Sequence, residues 1–186
     1  MNNKNQQLQD WASRIKRSDH RAFEQFFRFL YPRLVKFVIR YVNDKSTASD
    51  IVQEVFMALW KNRSTVDPDQ SIQSYMYRAV RNRSLNWLDK KANQGESLDS
   101  ITIQQHNDEA YIENSNGKLK SEMEIWISEL PERQCEAFRL SRFDGLDHTE
   151  IAAVMSISEK TVNNHIVAAL KYLRKKYDQY KQEQES

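Results

Sequence analysis

Apolar residues recur along this chain at three- and four-residue intervals, the period of helices with one buried face. No stretch shows the two-residue alternation of a strand, so the pattern predicts an all-α protein. Residues 1–7 are polar and expected to fray, after which Leu8, Trp11 and Ile15 mark a short helix ending near Arg17. Ser18 or Asp19 caps the next helix, in which Phe23, Phe26, Phe27 and Leu30 form an aromatic core stripe. Pro32 is expected to kink or restart it, because proline removes a donor and clashes with the preceding turn. Leu34, Val35, Val38, Ile39 and Val42 carry the pattern on to a polar break at 43–45. Thr47 then caps a helix with Ile51, Val55, Phe56 and Leu59 inward and Asp50, Gln53, Glu54 and Lys61 outward.

A polar connection over 63–70 leads to a long helix over 71–91, with Ile72, Tyr75, Met76, Ala79 and Val80 expected inward. Its second half brings Arg78, Arg81, Arg83, Lys90 and Lys91 beside Asn82, Asn86, Tyr77 and Trp87. Cations interleaved with aromatics suit a single nucleic-acid strand, since each stacked base is worth about 1–3 kcal/mol. Snorkelling arginines on an ordinary amphipathic helix give the same pattern. Taken alone, this helix leaves both open.

Between 92 and 117 there is no Lys or Arg, while Glu96, Asp99, Asp108, Glu109 and Glu113 accumulate among Asn, Gln and Ser. This is an acidic flexible linker, dividing the chain into small helical domains over 8–91 and 118–178. Leu119, Met123, Trp126 and Leu130 resume a helix, and Pro131 opens another with Ala137, Phe138, Leu140 and Phe143 on its core face. Residues 178–186 are expected to be a polar tail.

The segment from Asp147 to Tyr177 is the most specific of all. Asp147 and Glu150 have capping-box spacing, and Ser158 can cap a second helix after a turn of only two residues. Val162, Ile166, Ala169, Leu170 and Leu173 form its inward stripe, while Ala152 lets the helices cross closely. That is a helix-turn-helix, whose second helix enters the major groove of DNA. Its outer face carries Lys160, Thr161, Asn163, Asn164, Val167, Ala168 and Lys171, followed by Arg174, Lys175 and Lys176. Asn, Lys and Thr suit base edges, and the later cations suit phosphates. Ser156 stands where glycine is usual, so a left-handed backbone there carries modest strain.

Net charge is only +2, which excludes a uniformly basic nucleic-acid coat and confines DNA binding to local clusters. The single Cys135 excludes an internal disulfide framework, fits a reducing cytoplasm and reads as a buried hydrophobe. Met1 to Asp10 is polar, with no signal-peptide pattern, and no apolar run is long enough for a membrane span. No paired carboxylates in an apolar context, phosphate-binding glycine loop or metal-ligand spacing is present. Catalytic residues, metal, cofactor and small-molecule substrate are therefore not expected.

Three segments together resemble one family. DIVQEVFMALWKNR, YMYRAVRNRSLNWLDKK and LPERQCEAFRLSRFDGLDHTEIAAVMSISEKTVNNHI, in that order, resemble bacterial RNA polymerase sigma factors of the extracytoplasmic-function (ECF) group, sigma-70 family. The resemblance implies that Asp50, Gln53 and Glu54 contact core RNA polymerase. It implies that Asn82 holds a flipped base of the minus-ten element, with Arg78, Arg81, Arg83 and Asn86 on strand and phosphate. Lys160, Thr161, Asn163, Asn164, His165, Ala168 and Lys171 would face the minus-thirty-five duplex of promoter DNA. Asn163, Asn164 and His165 stand where arginines are common in such factors, so promoter preference does not transfer. An anti-sigma factor is implied as a further partner. The competing reading is a free-standing regulator, because ISEKTVNNH also resembles the recognition segment of response regulators. Such a regulator would carry a βα receiver domain, and residues 1–91 show no strand pattern.

Overall fold

The computed structural model describes residues 3–93 and 115–184. Among them are eight α-helices and one 3-10 turn, with no strand. The chain divides into two compact units, Met1–Gln104 and Gln105–Ser186. The acidic linker expected over 92–117 lies outside the described residues except at its ends.

Unit 1 contains α1 (Asn3–Lys16), α2 (His20–Val42), α3 (Lys45–Lys61), the turn Arg63–Thr65 and α4 (Ile72–Asn93). Helix α1 already begins at Asn3, so most of the segment expected to fray is helical. Asp19, not Ser18, caps α2, accepting from the backbone N–H groups of Arg21 and Ala22 at 2.9 and 3.1 Å. Pro32 does not restart that helix, which runs unbroken to Val42. Its ring is exposed, while Phe26, Leu30, Leu34, Phe37 and Val38 are buried on both sides of it. Burial of those side chains offsets the roughly 3 kcal/mol that an interior proline costs.

Asp44, rather than Thr47, starts α3, accepting from the Thr47 N–H at 2.6 Å. Helix α4 packs against α1, α2 and α3, and its buried arc is wide as a result. Ile72, Met76 and Val80 are buried as expected, and so is a second row of Gln73, Tyr77, Arg81 and Ser84. Tyr77 meets Phe37 edge-on, with ring centroids 5.2 Å apart. Tyr75, expected inward, is exposed.

Unit 2 contains α5 (Ser115–Ser128), α6 (Glu132–Arg142), α7 (His148–Met155) and α8 (Glu159–Gln184). Its core joins Trp126, Ile127 and Leu130 to Cys135, Phe138, Ala169 and Leu173. Cys135 is a buried free thiol, as its apolar setting implies. Helix α8 runs through most of the expected polar tail. Tyr180 explains this, since its ring packs 5.8 Å from Trp126. Phe143 and Leu170, both expected in the core, are exposed. Phe143 lies just past α6, edge-on to Phe138, with the Arg139 guanidinium 5.7 Å from its ring.

Acid should weaken both units. Backbone N–H groups at Ala22 and Thr47 hold the carboxyls of Asp19 and Asp44 below their ordinary range, Arg14 adding to the first. In unit 2, Lys176 at 2.7 Å and the Tyr172 hydroxyl at 2.5 Å do the same for Glu129. A carboxylate whose pKa is lowered by folding stabilises above its unfolded value and loses that contribution as pH falls. Melting temperature should therefore drop as pH is taken from about 5 to about 3, across the ordinary carboxylate range. Glu129→Gln should be less stable at neutral pH and show a shallower acid slope for unit 2, read by circular dichroism.

Candidate nucleic-acid and polymerase interfaces

Three faces carry the sequence-predicted residues. On α3, Asp50, Gln53 and Glu54 are exposed along one side, as helical spacing requires. Met57 continues that row and is 63% exposed, the largest exposure among the exposed large hydrophobic side chains. Sequence reasoning passed over it, although its spacing of three and four residues from Glu54 and Gln53 was the available signal. An acidic row ending in a solvent-facing thioether suits a partner surface with both cations and an apolar pocket.

On α4 the exposed strip is narrow. Tyr75, Arg78, Asn82 and Asn86 follow one another at helical intervals and all face solvent. Arg81 does not join them. It is only 8% exposed and is engaged within the unit, so its guanidinium is not on the exposed strip. Tyr77 is fully buried, and Tyr75 replaces it as the aromatic beside the arginine and asparagines. The exchange has a simple cause: three helices flank α4, so two rows are buried where amphipathic spacing counts one.

Arg83 lies on the α3 side of this strip, where its guanidinium is ion-paired with Glu54. Two residues expected to serve different partners thus hold each other in the free unit. Both side chains are substantially solvent-exposed, so the pair contributes about 1 kcal/mol or less. Trp87 is half-buried beneath the Lys91 ammonium, which lies 5.1 Å from its ring.

In unit 2 the helix-turn-helix is built by its caps. Asp147 and Glu150 form a complete capping box: the Glu150 N–H donates to Asp147 at 2.8 Å, and the Asp147 N–H to Glu150 at 3.0 Å. Ser156 adopts the left-handed conformation expected of it, with φ 56 and ψ 47. Its N–H reaches the Ala152 carbonyl, which also accepts from Ile157 at 3.1 Å. Ser158 then caps α8 by accepting from the Thr161 N–H at 3.1 Å. The Thr149 hydroxyl donates to Glu159 at 3.0 Å and ties the starts of the two helices together.

The predicted duplex-facing residues form two rows on α8. Lys160, Asn163, Asn164 and Lys171 are exposed together with Val167 and Arg174. Thr161, His165 and Ala168 form a half-buried flank, and the Thr161 hydroxyl is 2.8 Å from that of Ser158. The exposed row presents amides, ammonium groups and one branched apolar side chain, the groups that read base edges and thymine methyls.

Residues 26–94 match the model of Sigma-70 region 2, and residues 127–173 that of Sigma-70, region 4. The chain is similar to the RNA polymerase sigma-H factor of Pseudomonas aeruginosa, with 27% identity over 178 residues, covering 88% of this chain and 90% of that one. It is equally similar to the ECF RNA polymerase sigma-E factor of Escherichia coli K12, 27% identical over 168 residues, covering 85% and 87%. Among solved structures, CnrH in complex with the cytosolic domain of CnrY has a TM-score of 0.62 at 20% identity, covering 92% of this chain and 97% of that one. The sigma factor RpoE in complex with the anti-sigma factor NepR from Bartonella quintana has a TM-score of 0.63 at 19% identity, covering 84% and 96%. At such identities the structural likeness establishes the fold.

Proposed function

We propose, for a chain that belongs to the sigma-70 family in its extracytoplasmic-function group, a division of labour among the faces described above. As a sigma factor the protein serves promoter recognition and transcription initiation through core RNA polymerase. The α3 row of Asp50, Gln53, Glu54 and Met57 docks on the polymerase. The α4 strip receives the opened non-template strand: Asn82 holds an unstacked base, Arg78, Arg83 and Asn86 hold the backbone, and Tyr75 offers a stacking plane. Arg81 supports α4 from within. Lys160, Asn163, Asn164, Val167 and Lys171 meet the upstream duplex, with Thr161, His165 and Ala168 lining the approach.

What supports this most is one juxtaposition in unit 1: an acidic, apolar row on α3 beside a basic, aromatic strip on α4. One small body can thereby hold the polymerase and an opened strand together. Capturing a base already out of the stack opens DNA without ATP, at a cost of a few kcal/mol that the strand contacts must repay. The protein is a binding subunit with no chemistry of its own, working in the cytoplasm beside the polymerase. No helix among the described residues is long and apolar enough to cross a membrane. The solved relatives are bound to an anti-sigma factor or to the cytosolic domain of a partner, and a comparable inhibitory protein covering these faces is proposed here.

Purified protein mixed with core RNA polymerase should co-elute as a one-to-one complex. Failure to co-elute at low salt would overturn the assignment of the α3 row. Asn164→Ala should cost about 1–3 kcal/mol on the preferred upstream element and much less on a single-base variant of it. Holoenzyme binding to the two fragments measures that difference.

A further inference from the structure

The outward face of α8 starts with a carboxylate to which none of the roles above falls. Glu159 is the first residue of the helix and is exposed, and the exposed Asn163 and Val167 follow it at successive turns. Its own helix does not need it as a cap, because Ser158 already accepts from the Thr161 N–H at 3.1 Å. Instead it is held from the other helix of the motif. The exposed Thr149, in the first turn of α7, donates its hydroxyl to Glu159 Oε1 at 3.0 Å. Oε2 has no hydrogen-bond or ionic partner among the described residues. The side chain is thus restrained before DNA arrives and keeps one oxygen to accept with.

Residues at the start of a recognition helix are the ones that reach base edges. A carboxylate there can only accept, so the groove must offer it a donor. Guanine O6 and N7 and thymine O4 are acceptors and repel it. Adenine has an amino group, but it lies between two acceptors, its own N7 and the O4 of the paired thymine. The cytosine amino group has an acceptor on one side only, which makes it the best partner for a single carboxylate oxygen.

We propose that Glu159 is a specificity-determining residue for the upstream duplex, accepting from the N4 amino group of a cytosine, and that Thr149 is its positioning residue. The proposal rests on the reading of α8 as the helix that meets that duplex.

The test uses full-length protein in holoenzyme with core RNA polymerase, on the upstream duplex that the unaltered holoenzyme enriches from a randomised pool. Affinity is measured for all four base pairs at each position. One position should prefer cytosine by about tenfold, the low end for one base pair, since only one oxygen is free. Glu159→Gln should move the preference at that position alone to adenine, because an amide pairs with N6 and N7 together. Thr149→Val removes the donor and keeps the branched shape. It should leave cytosine first but cut its advantage to about threefold, with every other position unchanged, and Thr149→Ser should restore it. Relaxation at all positions together, with a lower melting temperature for Thr149→Val, would make the bond a brace between helices and overturn the positioning role. Glu159→Gln binding all four base pairs more tightly by the same factor would leave only charge repulsion and overturn the base contact. So would a preference unchanged from the parent. Failure of the unaltered holoenzyme to enrich any upstream duplex would strike the underlying reading of α8 instead.

Discussion

Glu54→Lys should lower affinity for core RNA polymerase by about 2–3 kcal/mol, roughly a hundredfold, in an equilibrium titration with labelled protein. The exposed carboxylate lies in the middle of the acidic row on α3, so reversing it places like charges across the interface. The same side chain pairs with Arg83 in the free unit, which gives the control. Arg83→Ala also releases Glu54, yet should leave polymerase affinity within about threefold of the unaltered protein, since an exposed pair contributes about 1 kcal/mol or less. If the two variants weaken assembly equally, the α3 row is supported by the pair and does not dock. If neither does, docking lies elsewhere.

Asn82→Ala should act at the other end of the same process. Assembly should be unchanged, while the open complex at equilibrium falls roughly ten- to hundredfold, the equivalent of about 1–3 kcal/mol for one captured base. Permanganate reactivity of unpaired thymines, read against the closed-complex footprint, separates opening from binding. The side chain is exposed between Arg78 and Asn86, and no hydrophobic core is disturbed by truncating it. Tyr75→Ala should lower opening in the same direction, whereas truncating the buried Tyr77 would destabilise unit 1 as a whole.

Those two tyrosines show where sequence reasoning succeeds and where it stops. Helix existence was legible throughout, because the apolar period is strong and the Asp147–Glu150 capping box has unambiguous spacing, whereas the cap of α2 stayed open between Ser18 and Asp19. The helix-turn-helix was legible down to the left-handed Ser156, because its geometry is local, although Leu170, read as inward, is exposed. The orientation of α4 was not. A helix packed by three neighbours buries more than one stripe, and nothing in its own residues announces how many neighbours it has. Charge then misleads: Arg81 reads as a surface cation and is buried, while Tyr75 reads as core and is exposed.

The same limit explains the end of α8, where polar composition suggests a tail but Tyr180 reaches Trp126 across the unit. Pro32 errs the other way, because a local rule about helix breaking was outweighed by core residues on both sides of it. Met57 was missed because its apolar neighbours Val55 and Phe56 are core, which masked the helical spacing that sets it in the exposed row of Gln53 and Glu54. The Glu54–Arg83 pair joins positions on different helices, so it too required the fold.

Multi-round run-off transcription with purified core polymerase is the most direct measurement of what this protein does. Added to core enzyme on promoters selected with the reconstituted holoenzyme, the protein should yield a transcript of defined start, absent with either component alone. No transcript on any selected fragment, together with tight binding of the isolated protein to a symmetric operator at physiological salt, would contradict its role as an initiation subunit.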